Sequence, residues 1–118
     1  MSSVNILKGG DSALTERRFD NRMPVNIEAR FFRGNMFYSG NILNLSSNGM
    51  LILTNIDISC GESFIVQISA REELPKLVAR VKRITGENSI SPGIGVKLTD
   101  PPQQYTDFVE DLSHYQYL

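Results

Sequence analysis

Three arginines and one polar turn are where this sequence could do chemistry. Arg17, Arg18 and Arg22 stand together just ahead of the first strand-like segment. A guanidinium is a planar fork that meets phosphate oxygens two at a time and also stacks on flat rings. Arginine on guanine O6 and N7 is the commonest specific contact made to that base. Such a cluster can clamp a ligand that is both anionic and guanine-bearing, or it can simply be solvated. The second element is Asn44-Leu45-Ser46-Ser47-Asn48-Gly49. Asn and Ser side chains bond neighbouring backbone and favour a turn. Gly49 tolerates a positive φ or a close backbone approach.

The other reactive residue types do not assemble into a catalytic set. His114 is the single histidine and falls in a helical pattern near the end, while Cys60, the single cysteine, has no base near it in sequence. One of each leaves little for a Cys–His pair or a metal site. No Gly-rich loop runs into Lys and Ser/Thr, so there is no P-loop. Glu72 and Glu73 follow Arg71 in a loop-like stretch and read as a solvated charge cluster. The expectation is a binding protein, not an enzyme, with no metal and no cofactor.

Charge places the ligand. The net charge is −1, which gives no global field to attract nucleic acid. A single-stranded nucleic-acid binder would need a basic groove with exposed aromatics. Between Glu16 and Arg33, however, five arginines face three acids, and between Asp100 and Leu118 four acids face no Lys or Arg. An anion belongs at the first end.

The elements that must position these residues follow from periodicity. Met1 to Thr15 is polar, contains Gly9-Gly10 and reads as a flexible arm (1–15). Val25, Ile27, Ala29 and Phe31 alternate as in a half-buried strand, and Gly34-Asn35 has the chemistry of a tight hairpin turn. Met36 to Leu45 returns, with Tyr38, Gly40, Ile42 and, at its end, Asn44 on one face. Met50 to Thr54 is a short apolar run that suits a strand buried on both sides, although period alone also allows a helix. Phe64, Val66 and Ile68 alternate, Leu77 to Thr85 alternates again, and Ile94 to Leu98 makes a sixth strand. Gly86-Glu87-Asn88 and Ser91-Pro92-Gly93 bracket the loop before it. Six strands at this spacing predict a small antiparallel barrel or sandwich.

The end of the chain is different. Asp100-Pro101-Pro102-Gln103 reads as a helix start, with Asp100 as N-cap and Pro101 at the first helical position. Tyr105, Phe108, Val109, Leu112 and Tyr115 recur at helical spacing, predicting an amphipathic helix over about 101–116. It either caps the core or also offers its outer face to a partner. The single cysteine fits a reducing compartment. No apolar run approaches the ~20 residues of a membrane span, and Met1 to Gly10 lacks the apolar core of a signal peptide. The expected location is the cytoplasm.

Arg18-x-x-x-Arg22, followed one hairpin later by Asn44-x-Ser46-x-x-Gly49, resembles the PilZ domain family. Glu16 to Pro24 looks like that family's arginine arm, and Gly93-Ile94-Gly95-Val96-Lys97-Leu98 like its late strand. The resemblance makes 16–118 one PilZ-like domain: arginine arm, six-stranded antiparallel β-barrel, mainly all-β, and C-terminal α-helix. It implies a receptor for cyclic di-GMP, a bacterial second messenger. Arg18 and Arg22 would take phosphates and guanine faces, Asn44 and Ser46 a guanine edge, and Gly49 would let backbone come close. An Arg just before the motif, here Arg17, goes in this family with two stacked ligand molecules. The implied signal is an ordering of the arm that is read by an unidentified protein partner, a flagellar, pilus, adhesion or polysaccharide component. The alternative is a PilZ-like interaction module that binds no nucleotide. Arg30, Arg33 and Arg83 are further cations whose place depends on how the barrel closes.

Overall fold

A computed structural model of the protein describes residues 22–70, 74–86 and 93–116, without the side chains of 115 and 116. The expected arm over 1–15, Arg17 and Arg18, the Arg71-Glu72-Glu73 cluster, most of the loop before the last strand, and the side chain of Tyr115 lie outside the described residues.

Alternation builds the first hairpin. β1 (Met23–Arg33) pairs antiparallel with β2 (Met36–Leu45), and Arg33 faces Met36 across a two-residue turn. Gly34 opens that turn at φ 60°, a conformation glycine adopts without a steric penalty. β3 (Gly49–Thr54), β4 (Ser63–Ile68), β5 (Leu77–Thr85) and β6 (Gly93–Thr99) complete a closed barrel in the order β1-β2-β3-β6-β5-β4. Every neighbouring pair is antiparallel. Closure gives every strand a hydrogen-bonded neighbour on both sides, and it decides between the barrel and the sandwich.

The interior is packed with side chains. Phe31, Ile42, Met50, Ile52, Val66, Val81 and Val96 are almost fully buried, and Phe31 meets Phe64 edge-on with ring centroids 5.9 Å apart. Each such side chain contributes about 1.5–3 kcal/mol on leaving water. In β3 Met50, Ile52 and Thr54 are buried while Leu51 and Leu53 are only half-buried. The strand is therefore not buried on both sides: its apolar run covers the core with one face and leaves the other half-exposed.

Among the described residues three register slips break the alternation: one in β1 between Pro24 and Ile27, and two, in β2 and β5, that matter outside the barrel. In β2 the register slips between Ile42, opposite Ile52, and Asn44, opposite Leu51. Strict alternation would keep Asn44 on the Ile42 face; the extra residue turns it outward instead. In β5 the slip falls between Val81, opposite Val96, and Arg83, opposite Gly95. Lys82 is the additional residue, and both Lys82 and Arg83 are exposed.

The helix α1 (Gln103–Gln116) closes the domain through Tyr105, Phe108 and Val109, which are buried, and Leu112, which packs against the core. Its start differs from the expected one. Asp100 has a positive φ of 46° and does not cap the helix. The Pro102 carbonyl accepts the first bonds, from the N–H groups of Tyr105 and Thr106. The reason is the Pro pair, because a residue preceding proline is driven out of the α region. Asp100 and Pro101 both precede a proline, so the helix begins only after Pro102.

Candidate functional site

Just before β1 the chain places Arg22 against the end of β2. Its Nη1 donates to Asn44 Oδ1 at 3.2 Å. The same guanidinium lies over Gly49: a Cβ at that glycine would sit 3.4 Å from Arg22 Nη2 and 2.6 Å from the Val96 carbonyl oxygen. Gly49 projects outward, since its successors Met50 and Ile52 point into the core. A side chain there would collide with β6 and lift Arg22 away. Glycine at position 49 thus serves the close approach of an arginine, and no unusual φ is involved.

The intervening turn is held by its own polar groups. The Ser46 N–H donates to the Gly49 carbonyl at 2.9 Å, and the Asn48 N–H donates to Ser46 Oγ at 3.3 Å. Tyr105, fully buried, donates its hydroxyl to the Ser46 carbonyl at 2.7 Å. Burial pushes the Tyr105 phenol above its ordinary value, more than the nearby Arg22 charge pulls it down. The phenol stays neutral and remains a donor. The turn is thereby tied to α1 from below and to β6 through the Leu98 N–H, which donates to the Asn48 carbonyl at 2.8 Å.

Arg22 and Gly49 line an open cavity of about 330 Å³ together with Asn48, Lys82, Arg83, Gly95, Val96 and Lys97. That volume is at the lower end of small-molecule sites, roughly 300–1,000 Å³. Four of the eight lining residues are cationic and none is acidic. Two other clefts differ in character. One mixes Glu28 and Arg30 with Ser39 and Asn41. The other sets Cys60 among Ile56, Ile58 and Ile84. Of these three clefts among the described residues, the first is the one suited to an anion. Among the described residues no group of three or more His, Cys, Asp or Glu could hold a metal ion, and no helix is long and apolar enough to cross a membrane.

Of the residues singled out in the sequence, Arg22, Asn44 and Gly49 come together and Ser46 lies directly beneath them. Ser46 is buried, and its Oγ accepts from the turn backbone, which makes it the brace of the turn. Arg17 and Arg18 lie outside the described residues. The three open cations separate clearly. Arg83 lines the cavity. Arg30 lines the mixed cleft. Arg33 is taken by Glu62 at 3.1 Å and by the Asp57 carbonyl, and the Ser59 N–H, with Arg33, holds the Glu62 carboxyl below its ordinary value. Sequence reasoning missed Lys82, Gly95 and Lys97. For Lys82 a signal was present in Val81-Lys82-Arg83-Ile84, where two consecutive cations between apolar residues break the period of two.

Comparison with known proteins agrees with this fold. The model of the PilZ domain family matches residues 16–114. No sequence among curated proteins matches the chain. Among solved structures, the Bacillus subtilis inhibitor of motility MotI/DgrA superposes with a TM-score of 0.69 at 15% identity, covering 86% of this chain and 51% of that one. The chain thus spans about half the length of that protein. The PilZ domain of YcgR from Escherichia coli, solved with c-di-GMP, superposes with a TM-score of 0.66 at 15% identity, covering 82% of this chain and 88% of that one.

Proposed function

The chain belongs to the PilZ domain family, and on that premise we propose that it is a receptor for cyclic di-GMP that signals to a partner protein and catalyses nothing itself. The observation that carries this reading is the meeting of two motifs at one cleft. Arg22 closes R-x-x-x-R, bonds Asn44 and covers Gly49, the first and last positions of N-x-S-x-x-G. The YcgR domain, similar in fold, holds this ligand in its structure.

In the proposed complex Arg18 and Arg22 take phosphates and guanine faces, while Asn44 meets a guanine edge and Ser46, buried as the brace of the turn, turns its remaining hydroxyl hydrogen toward that edge. Gly49 lets Arg22, and with it the ligand that Arg22 holds, come close to the backbone, and Arg17 governs whether a second, stacked molecule is held. Binding draws Arg17 and Arg18 onto the cleft beside Arg22, which changes the surface a partner meets. The inhibitor of motility among the similar structures favours a motility component as that partner. We place the receptor in the bacterial cytoplasm.

Titration calorimetry with cyclic di-GMP tests the reading. Charge-assisted hydrogen bonds contribute about 1.5–3 kcal/mol each. Losing one weakens binding roughly tenfold to a hundredfold. Wild type should release binding heat, and Arg18→Ala and Arg22→Ala should each lose affinity by that factor or more. A wild-type protein that gives no heat at millimolar ligand contradicts the receptor reading.

A further inference from the structure

Gly95 lies on the outer face of β6, between the inward-facing Ile94 and Val96, yet it is buried. What covers it is Arg83. A Cβ at Gly95 would sit 3.0 Å from Arg83 Cγ and 3.2 Å from its Nε. The β5 bulge produces this contact. Without Lys82 as the extra residue, Arg83 would face Ile94 and point into the barrel; with it, Arg83 faces Gly95 directly.

The arrangement repeats that of Arg22 on Gly49. In both places an arginine is laid along an outward-facing glycine, and both line the same cavity. The two glycines are diagonal neighbours on adjacent strands, since Gly49 faces Lys97 and Gly95 faces Leu51. Diagonal neighbours of this kind are about 7–8 Å apart, so both guanidiniums reach one bound molecule. Among the described residues no carboxylate pairs with Arg83. Its stem is already packed on the glycine, so less side-chain freedom is lost when its head is engaged.

We propose that Arg83 is a second ligand-contacting guanidinium of this cleft, held flat by Gly95 so that its plane stacks on a nucleobase, with Lys97 beside it facing phosphate. This rests on the cyclic di-GMP reading above and adds a wall from β5 and β6 that neither motif contains. The role needs a plane as well as a charge, so lysine does not replace it.

Calorimetric titration of Arg83→Ala, Arg83→Lys and Gly95→Ala with cyclic di-GMP, beside wild type and Arg22→Ala, tests the proposal. Arg83→Ala should weaken binding at least tenfold, and Arg83→Lys should remain at least fivefold weaker than wild type. Gly95→Ala, which displaces Arg83 while keeping it, should also bind more weakly. Melting temperatures without ligand should show all three folded; if Gly95→Ala does not fold, the two Arg83 variants decide. Arg83→Ala within twofold of wild type, while Arg22→Ala loses binding, overturns this proposal and leaves the receptor reading intact. Arg83→Lys equal to wild type overturns the stacking role. Absence of wild-type heat overturns both.

Discussion

Asn44 and Arg22 divide the work of recognition between geometry and charge. The 3.2 Å bond from Arg22 Nη1 to Asn44 Oδ1 fixes one edge of the guanidinium at the rim of the cleft that Arg22 lines. Removing either residue should weaken binding, but in different ways. Asn44→Ala keeps every cation of the cleft and loses one neutral anchor, an effect of about 1 kcal/mol or roughly fivefold in affinity. Its affinity should therefore fall with added salt as steeply as that of wild type. Arg22→Ala removes charge, and its remaining affinity should depend less on salt. Titrations at two ionic strengths would separate the two, and equal salt slopes for both variants would contradict the division.

At the scale of elements, the site depends on α1 although the helix contributes nothing to the lining of the cleft. Tyr105 ties the helix to the Ser46 turn. Tyr105→Phe leaves a buried carbonyl without its donor, which costs about 1–3 kcal/mol, and it should lower the midpoint of chemical denaturation and weaken the ligand. The difference has a pH dependence. Because burial raises the phenol, its contribution is intact below the ordinary tyrosine value of about 10 and is lost as pH rises through and beyond it. The stability gap between wild type and Tyr105→Phe should narrow above that pH. A gap that stays constant would show that Tyr105 is not held neutral by the fold. The hairpin at Gly34, the six strands and the apolar face of the helix were legible because each has a local period or a turn residue. The outward turn of Asn44 and Arg83 was not, since a bulge is settled by pairing with another strand. The helix start at Gln103 was hidden for a nearer reason: Asp100 matches a cap until the exclusion imposed by Pro101 and Pro102 is applied.

For the whole molecule, the barrel explains where a ligand can go. Its interior is filled by side chains, as small barrels usually are, so binding falls to the outer face, where the end of β2, the turn into β3, and strands β5 and β6 converge. Charge follows the same division. Cations collect at this cleft, while Asp107, Glu110 and Asp111 lie exposed on α1. A net charge of −1 therefore conceals a local field able to attract a small dianion. Nuclear magnetic resonance of uniformly 15N-labelled protein titrated with cyclic di-GMP reads the two-motif cleft, widened by Arg83, residue by residue. Saturable shifts are expected at the backbone amides of Asn48, Gly49 and Gly95, at the side-chain Nε–H signals of Arg22 and Arg83, and at the amides of residues 16–22. Shifts confined to the Cys60 cleft or to the exposed Met36-Phe37 hairpin tip, or no shifts at saturating ligand, would contradict binding at this cleft.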